Sequence, residues 1–207
     1  MEKILKGVVE FRKHDFEKHK ALFQQLGDKQ QPHTLFIGCS DSRVDPNLIT
    51  RSLPGELFII RNVANIVPQY RESVEYLATT SAVEYAVQAL NVKHIVVCGH
   101  SNCGGCAALY LPEKAFQTMP HTRRWLEQSQ VVRLRVEQNP EASDPAKKGW
   151  LTEQENVVQQ LKNLFSYPFI RERYKEGKLK IQGWYYIIST GQVLAYQPEK
   201  GYFEELG

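Results

Sequence analysis

Cys39-Ser40-Asp41-Ser42-Arg43 and, far downstream, His100-Ser101-Asn102-Cys103 gather three metal-ligating side chains into two tight clusters. Two thiolates and one imidazole suit a borderline-soft, redox-inert ion such as Zn2+, one per chain. Three protein ligands leave the fourth tetrahedral position to water, as in a catalytic site. Zinc in such a site lowers the pKa of its water from about 15.7 to roughly 7, so hydroxide becomes available at neutral pH. Asp41 and Arg43 follow the first thiolate closely. There a carboxylate can accept a hydrogen bond from the bound water and a guanidinium can hold that carboxylate bidentately.

The elements around the two clusters show how they can meet. His33 to Gly38 predicts a short buried strand ending at the first cluster. Leu57 to Arg61, after the turn chemistry of Pro54-Gly55, predicts a second. Residues 72 to 91 repeat Val74, Leu77, Ala78, Val83, Ala86, Val87 and Leu90 at helical spacing. They lead into His94 to Cys98, whose continuous apolar run suits a parallel strand buried on both faces. Strands alternating with helices predict an α/β fold with a mainly parallel central sheet flanked by helices, and ligand sites in such sheets lie beyond the carboxyl ends of the strands. Cys39 and His100 each follow a predicted strand, so the clusters share one sheet edge.

Further along, helices are expected at about 120 to 138 and 152 to 165, separated by a loop at 139 to 145. A strand is expected over Leu179 to Thr190, turned by Gly191-Gln192 into Val193 to Tyr196. Residues 2 to 26 scatter Ile4, Leu5, Val8, Phe11, Leu22, Phe23 and Leu26 among many charges, which reads as amphipathic helices forming an N-terminal arm over 1–27. At 207 residues a single domain spanning 1–207 is expected.

Hydrophobic residues at 42% and charged residues at 24% are ordinary for a soluble protein, and a net charge of +3 is too small and dispersed to suggest a nucleic-acid partner. Arg123-Arg124, Arg133 and Arg135 read as a solvated helix face. No run approaches the ~18 apolar residues of a membrane span, and no secretory signal is visible. Four cysteines without a disulfide framework fit a reducing, cytoplasmic setting.

The C-x-D-x-R and H-x-x-C elements, with Gly99-His100-Ser101-Asn102-Cys103-Gly104-Gly105 and Arg61-Asn62-Val63-Ala64-Asn65, resemble β-class carbonic anhydrases over about residues 2 to 197. The resemblance implies reversible hydration of CO2 to bicarbonate and a proton, in the service of carbon utilisation. It makes Cys39, His100 and Cys103 the zinc ligands and Asp41 with Arg43 the catalytic dyad. Gln30, Phe58, Val63 and Tyr85 become the substrate pocket. It further implies a homodimer or dimer of dimers, with pocket residues shared across the interface and the arm as an embrace. Cys39 to Thr50 is similar to cyanobacterial-type members, some of which work in carboxysomes. Some members close the site when the motif Asp moves onto zinc, a state favoured by bicarbonate in a pocket of Trp, Arg and Tyr. The corresponding residues here are Phe36, Arg61 and Tyr186, so the indole donor is missing at that position, and Arg61 equally suits a structural anchor.

Other readings stay open on the residues alone. Cys103-Gly104-Gly105-Cys106 has the C-x-x-C form of a thiol-disulfide oxidoreductase, though that leaves Cys39, Asp41, Arg43 and His100 unexplained. A zinc protein without catalysis would use Asp41 as a permanent fourth ligand. Enzymes acting on carbon disulfide or carbonyl sulfide share the metal pattern. Without the resemblance, Phe58, Val63 and Tyr85 read as core. Cys98 reads as core too, and His14, His19, His33 and His94 as structural.

Overall fold

Six strands form one sheet in the order β2-β1-β3-β4-β5-β6. They are β1 (Thr34–Cys39), β2 (Leu57–Asn62), β3 (His94–His100), β4 (Lys180–Tyr186), β5 (Val193–Gln197) and β6 (Tyr202–Glu205). The computed structural model describes residues 1–73, 75 and 77–206. β1 to β4 run parallel, while β5 and β6 return antiparallel. β1 and β3 lie inside the sheet and are buried almost throughout, which is why their sequences are continuous apolar runs instead of alternating ones.

Cys39 and His100 are the last residues of β1 and β3, not the first residues beyond them, so each predicted strand is longer at its carboxyl end than expected. The sheet's own hydrogen bonding therefore fixes both ligands. The strand expected over Leu179 to Thr190 stops at Tyr186, because Ile187 N turns to Gln192 O (2.8 Å) and Gly191 takes φ 80°. β6 had no counterpart in the sequence reading.

The arm consists of α1 (Glu2–Glu10), a wider π turn at Phe11–Asp15, α2 (Phe16–Lys18) and α3 (Lys20–Leu26). After β1 comes α4 (Pro46–Thr50), with Pro46 in its first turn and the Asp45 carboxylate accepting from Asn47 N and Leu48 N. α5 (Ala78–Glu84) continues into a π turn at Tyr85–Ala89. It begins later than the helix expected over 72 to 91, and upstream of it the backbone donors Val67 N and Tyr70 N go to Gln160 Oε1 and Ser166 Oγ. Val74, part of that expectation, lies outside the described residues. Beyond β3 follow α6 (Gly104–Ala108), α7 (Pro120–Leu126), α8 (Gln130–Glu137), α9 (Pro145–Leu164) and α10 (Pro168–Lys175). The loop expected at 139 to 145 is a 3-10 turn at Pro140–Ser143 followed directly by the start of α9, since Asp144 caps that helix through Ala146 N and Pro145 occupies its first turn.

Leu35, Ile37, Ile95 and Val97 face Val83, Val87, Val157, Leu164 and Tyr167 on one side of the sheet. Phe36, Val96 and Cys98 face the other, with Ile59, Trp184 and Tyr186 packed against them. α9 lies unusually close to the strands. A Cβ on Gly99 would sit 2.6 Å from Val157 Cγ2, and one on Gly183 would sit 2.8 Å from Val157 Cγ1.

Candidate metal centre and active site

Parallel pairing of β1 with β3, Gly38 opposite Cys98, delivers Cys39 and His100 to one sheet edge. Asn102 then takes the left-handed φ of 54° and turns the chain so that Cys103 heads α6. The ligand atoms of the three residues all lie within 4.8 Å of one another, the two sulfurs are 4.0 Å apart, and every one of the residues is buried. His100 Nδ1 donates to Ser101 O (3.0 Å), so Nε2 keeps its lone pair, and that buried nitrogen has no hydrogen-bond partner. The facing Cys103 thiol and burial push the Cys39 thiol up to about 12. A hydrogen bond with Cys106, together with burial, pushes Cys103 up to about 12. A buried imidazole lone pair aimed beside two crowded thiols fits a divalent metal ion, whose charge would reverse both shifts.

Asp41 approaches this set with Oδ2 3.9 Å from His100 Nε2. Its orientation is fixed by Arg43, whose Nε donates to Oδ1 at 2.9 Å and Nη2 to Oδ2 at 2.7 Å, while Arg43 N adds a third bond to Oδ1 at 2.9 Å. Those bonds hold the Asp41 carboxyl well below the usual carboxylate range, so it stays ionised through neutral and mildly acidic pH. Arg43 Nη2 also reaches Asn102 O (3.1 Å), tying the two clusters together.

Of the four residues expected to line the pocket, Phe58 and Tyr85 meet with ring centroids 6.0 Å apart. Val63 is 40% exposed and Tyr85 49% exposed, which contradicts the core reading of both, and Gln30 is exposed on the segment between arm and β1. Arg61 donates from Nε to Cys39 O (3.0 Å) and from Nη2 to Asp41 O, which makes it an anchor of the backbone at the end of β1. Phe36 is fully buried and meets Trp184 edge to face, with Tyr186 in the same cluster. An indole thus stands near this patch from β4, but its N–H is engaged by Gln182 Oε1 (3.2 Å).

Sequence reasoning missed the polar face of α9. Asn156 Nδ2 donates to Ala64 O, Gln160 Oε1 accepts from Val67 N, and Asn163 Nδ2 donates to Val67 O. This ladder holds the loop carrying Val63, where Ala64 and Asn65 both take positive φ. Glu153, one turn earlier, accepts from Cys103 N (2.8 Å) and from Tyr185 Oη (2.6 Å). Polar residues at helical spacing were the available signal, but they read equally well as a solvated face.

The oxidoreductase reading fails on chemistry. Its attacking thiol would need a lowered pKa, whereas Cys103 is raised and Cys106 is buried behind it. Cys98 is fully buried core, as expected.

A mainly parallel α/β sheet presenting a Cys-His-Cys group able to hold a metal ion beside an arginine-held aspartate suits a metal-dependent hydrolytic or hydrating enzyme. The family model described as "Carbonic anhydrase" matches residues 34–193. The carbonic anhydrase of Helicobacter pylori (strain J99) is 43% identical over 203 residues, covering 97% of this chain and 92% of that protein. The structure of the β-carbonic anhydrase CcaA superposes with a TM-score of 0.94 at 40% identity, covering 100% of this chain and 92% of that one. Tetrameric β-carbonic anhydrases of Sordaria macrospora superpose at 0.80 with 31% identity, covering 100% and 96%. The chain belongs to the carbonic anhydrase family, in its β class, and catalyses the reversible hydration of CO2 to bicarbonate.

Proposed function

We propose that this activity runs on one zinc ion per chain held by Cys39, His100 and Cys103, with Asp41 and Arg43 as the dyad and Gln30, Phe58, Val63 and Tyr85 around the CO2. The observation that carries the reading is the orphaned His100 Nε2 converging with two thiols beside a carboxylate already pinned by Arg43. Bound there, zinc supplies a Lewis acid and a water that ionises near neutral pH, the effect for which carbonic anhydrases are the familiar example. Asp41 accepts the remaining O–H of the nucleophile and so aims its lone pair at carbon. Arg43 keeps that carboxylate turned and off the metal. Phe58, Val63 and Tyr85 keep water from the far side of CO2, and the Gln30 amide donates to one of its oxygens. Metal analysis and stopped-flow CO2 hydration against pH, with carbonyl sulfide as a comparison substrate, test this. One zinc per chain and a strong preference for CO2 are expected, and full activity in chelator-stripped protein would refute it.

The working unit in this proposal is a homodimer or a dimer of dimers. None of the arm helices buries a residue in its own chain, and Ile4, Leu5 and Val8 are each about 60% exposed or more. Deleting residues 2–26 should convert the assembly to monomers in sedimentation and lower activity, whereas a full-length chain already monomeric at micromolar concentration would contradict the embrace. We place the enzyme in the cytoplasm, whose reducing conditions suit four cysteines that form no disulfide. Among the described residues no helix is long and apolar enough to cross a membrane.

The pocket of Phe36, Arg61 and Tyr186 should bind bicarbonate poorly. It lacks an indole donor at position 36, and two Arg61 donors are spent on Cys39 O and Asp41 O. One missing hydrogen bond to a charged ligand costs roughly 1.5–3 kcal/mol, or about ten- to a hundred-fold in affinity. The site is expected to stay open near neutral pH, with no cooperative loss of activity below about pH 8 and no inhibition by ~1 mM bicarbonate beyond product competition. Sigmoidal inactivation under those conditions would show the opposite.

A further inference from the structure

We propose that Glu153 and Tyr185 form a buried positioning pair that sets how firmly the third metal ligand, Cys103, holds its ion. The inference rests on the metal reading above and concerns residues that do not touch substrate. Glu153 lies on α9 at 6% exposure, and each of its carboxylate oxygens is used: Oε1 accepts from Cys103 N at 2.8 Å and Oε2 from Tyr185 Oη at 2.6 Å. Tyr185 is 1% exposed and sits on β4 opposite Gly99, one residue before His100.

Cys103 needs such a partner because of where it stands. Cys39 and His100 end strands and are fixed by the sheet, whereas Cys103 follows a left-handed Asn102 and heads a helix of five residues, with no side-chain cap of its own. Its backbone N–H would otherwise be buried without an acceptor. Glu153 supplies that acceptor from a helix docked directly on the strands. The docking depends on Gly99 and Gly183, where any Cβ would collide with Val157, one turn along from Glu153. Gly105 completes the arrangement, since a Cβ there would meet Ala64 Cβ at 2.8 Å. The same helix face that grips the Val63 loop through Asn156, Gln160 and Asn163 therefore also grips the metal loop through Glu153. Hydrogen bonds that orient metal ligands typically change metal affinity about ten- to a hundred-fold when removed.

The experiment measures zinc transfer from the intact holoenzyme to a chromogenic chelator, alongside the thiolate charge-transfer spectrum of the cobalt-substituted protein. Glu153→Leu should release zinc about ten- to a hundred-fold faster and shift the cobalt band, and Tyr185→Phe should do so about ten-fold. Glu153→Gln, which keeps an oxygen for Cys103 N, should restore nearly normal retention. If Glu153→Leu does not fold, Tyr185→Phe and Glu153→Gln decide the question. Wild-type release rates and cobalt spectra in the folded variants would overturn the positioning role and reduce the pair to fold stability. Wild-type protein lacking stoichiometric zinc would instead overturn the metal reading itself.

Discussion

Cys39→Ser and Cys103→Ser are each expected to leave the protein without zinc and its CO2 hydration at the uncatalysed background, while Cys106→Ser keeps both. Serine occupies nearly the same volume as cysteine, but its hydroxyl is a hard, weakly acidic donor that does not ionise to replace a thiolate. With one sulfur gone, the site retains only two of its ligands. Cys106 is a sharper control than a distant cysteine would be. It is only 2% exposed and packs in the same cluster as Cys103, with Ala64, Leu109 and Phe116, yet it stands outside the ligand group. Burying a hydroxyl there costs about 1–3 kcal/mol unless it finds a partner, so Cys106→Ser should melt earlier without losing metal. Metal content after dialysis, read beside stopped-flow rates, separates the cases. Loss of zinc in Cys106→Ser with retention in Cys103→Ser would reassign the third ligand.

The residues of the Cys-His-Cys group and of the aspartate-arginine pair beside it stand out in the sequence because their signal is local. Cys39, Asp41 and Arg43 lie within five consecutive residues, and His100 and Cys103 within four. The apolar runs before them announce buried parallel strands, and the parallel sheet then brings both clusters to one edge. What stayed hidden depends on distance along the chain. Glu153 is fifty residues from Cys103, and Asn156 is ninety-two from Ala64. A polar side chain on a long helix looks the same in sequence whether it meets water or a buried backbone amide. The start of α9 was missed for a related reason: Asp144-Pro145 serves equally as turn or as cap and first turn, and only packing of the helix on the sheet decides. Trp184 shows the opposite error, in which a missing indole at position 36 concealed another contributed from β4.

Asp41→Asn should keep zinc bound and lower turnover by about a hundred-fold or more, the usual scale for losing an oriented acid-base or orienting group. The argument is one of donors and acceptors. Arg43 presents Nε and Nη2 to both Asp41 oxygens, and its backbone N–H adds a third donor. An asparagine can offer only one oxygen to that fork, so it turns its oxygen toward Arg43 and its NH2 toward the metal group. The nucleophile then meets a donor where it had an acceptor, and its hydrogen is no longer drawn away from the face that must attack CO2. Zinc should remain because Asp41, tied to Arg43, is not among the three converging ligands. The wild-type pH profile supplies a second reading of the same geometry. Arg43 depresses the Asp41 pKa, so the carboxylate is already ionised above its usual range, and its contribution is lost only as pH falls through the lowered value. No inflection between about pH 5 and 9 should therefore belong to Asp41, and the neutral-range inflection should belong to the metal-bound water alone. Arg43→Gln, which releases the carboxylate, should raise the Asp41 pKa toward the normal range and let it compete for the metal, so activity falls most steeply at mildly acidic pH. Near-normal turnover in Asp41→Asn with full zinc occupancy would remove Asp41 from the mechanism.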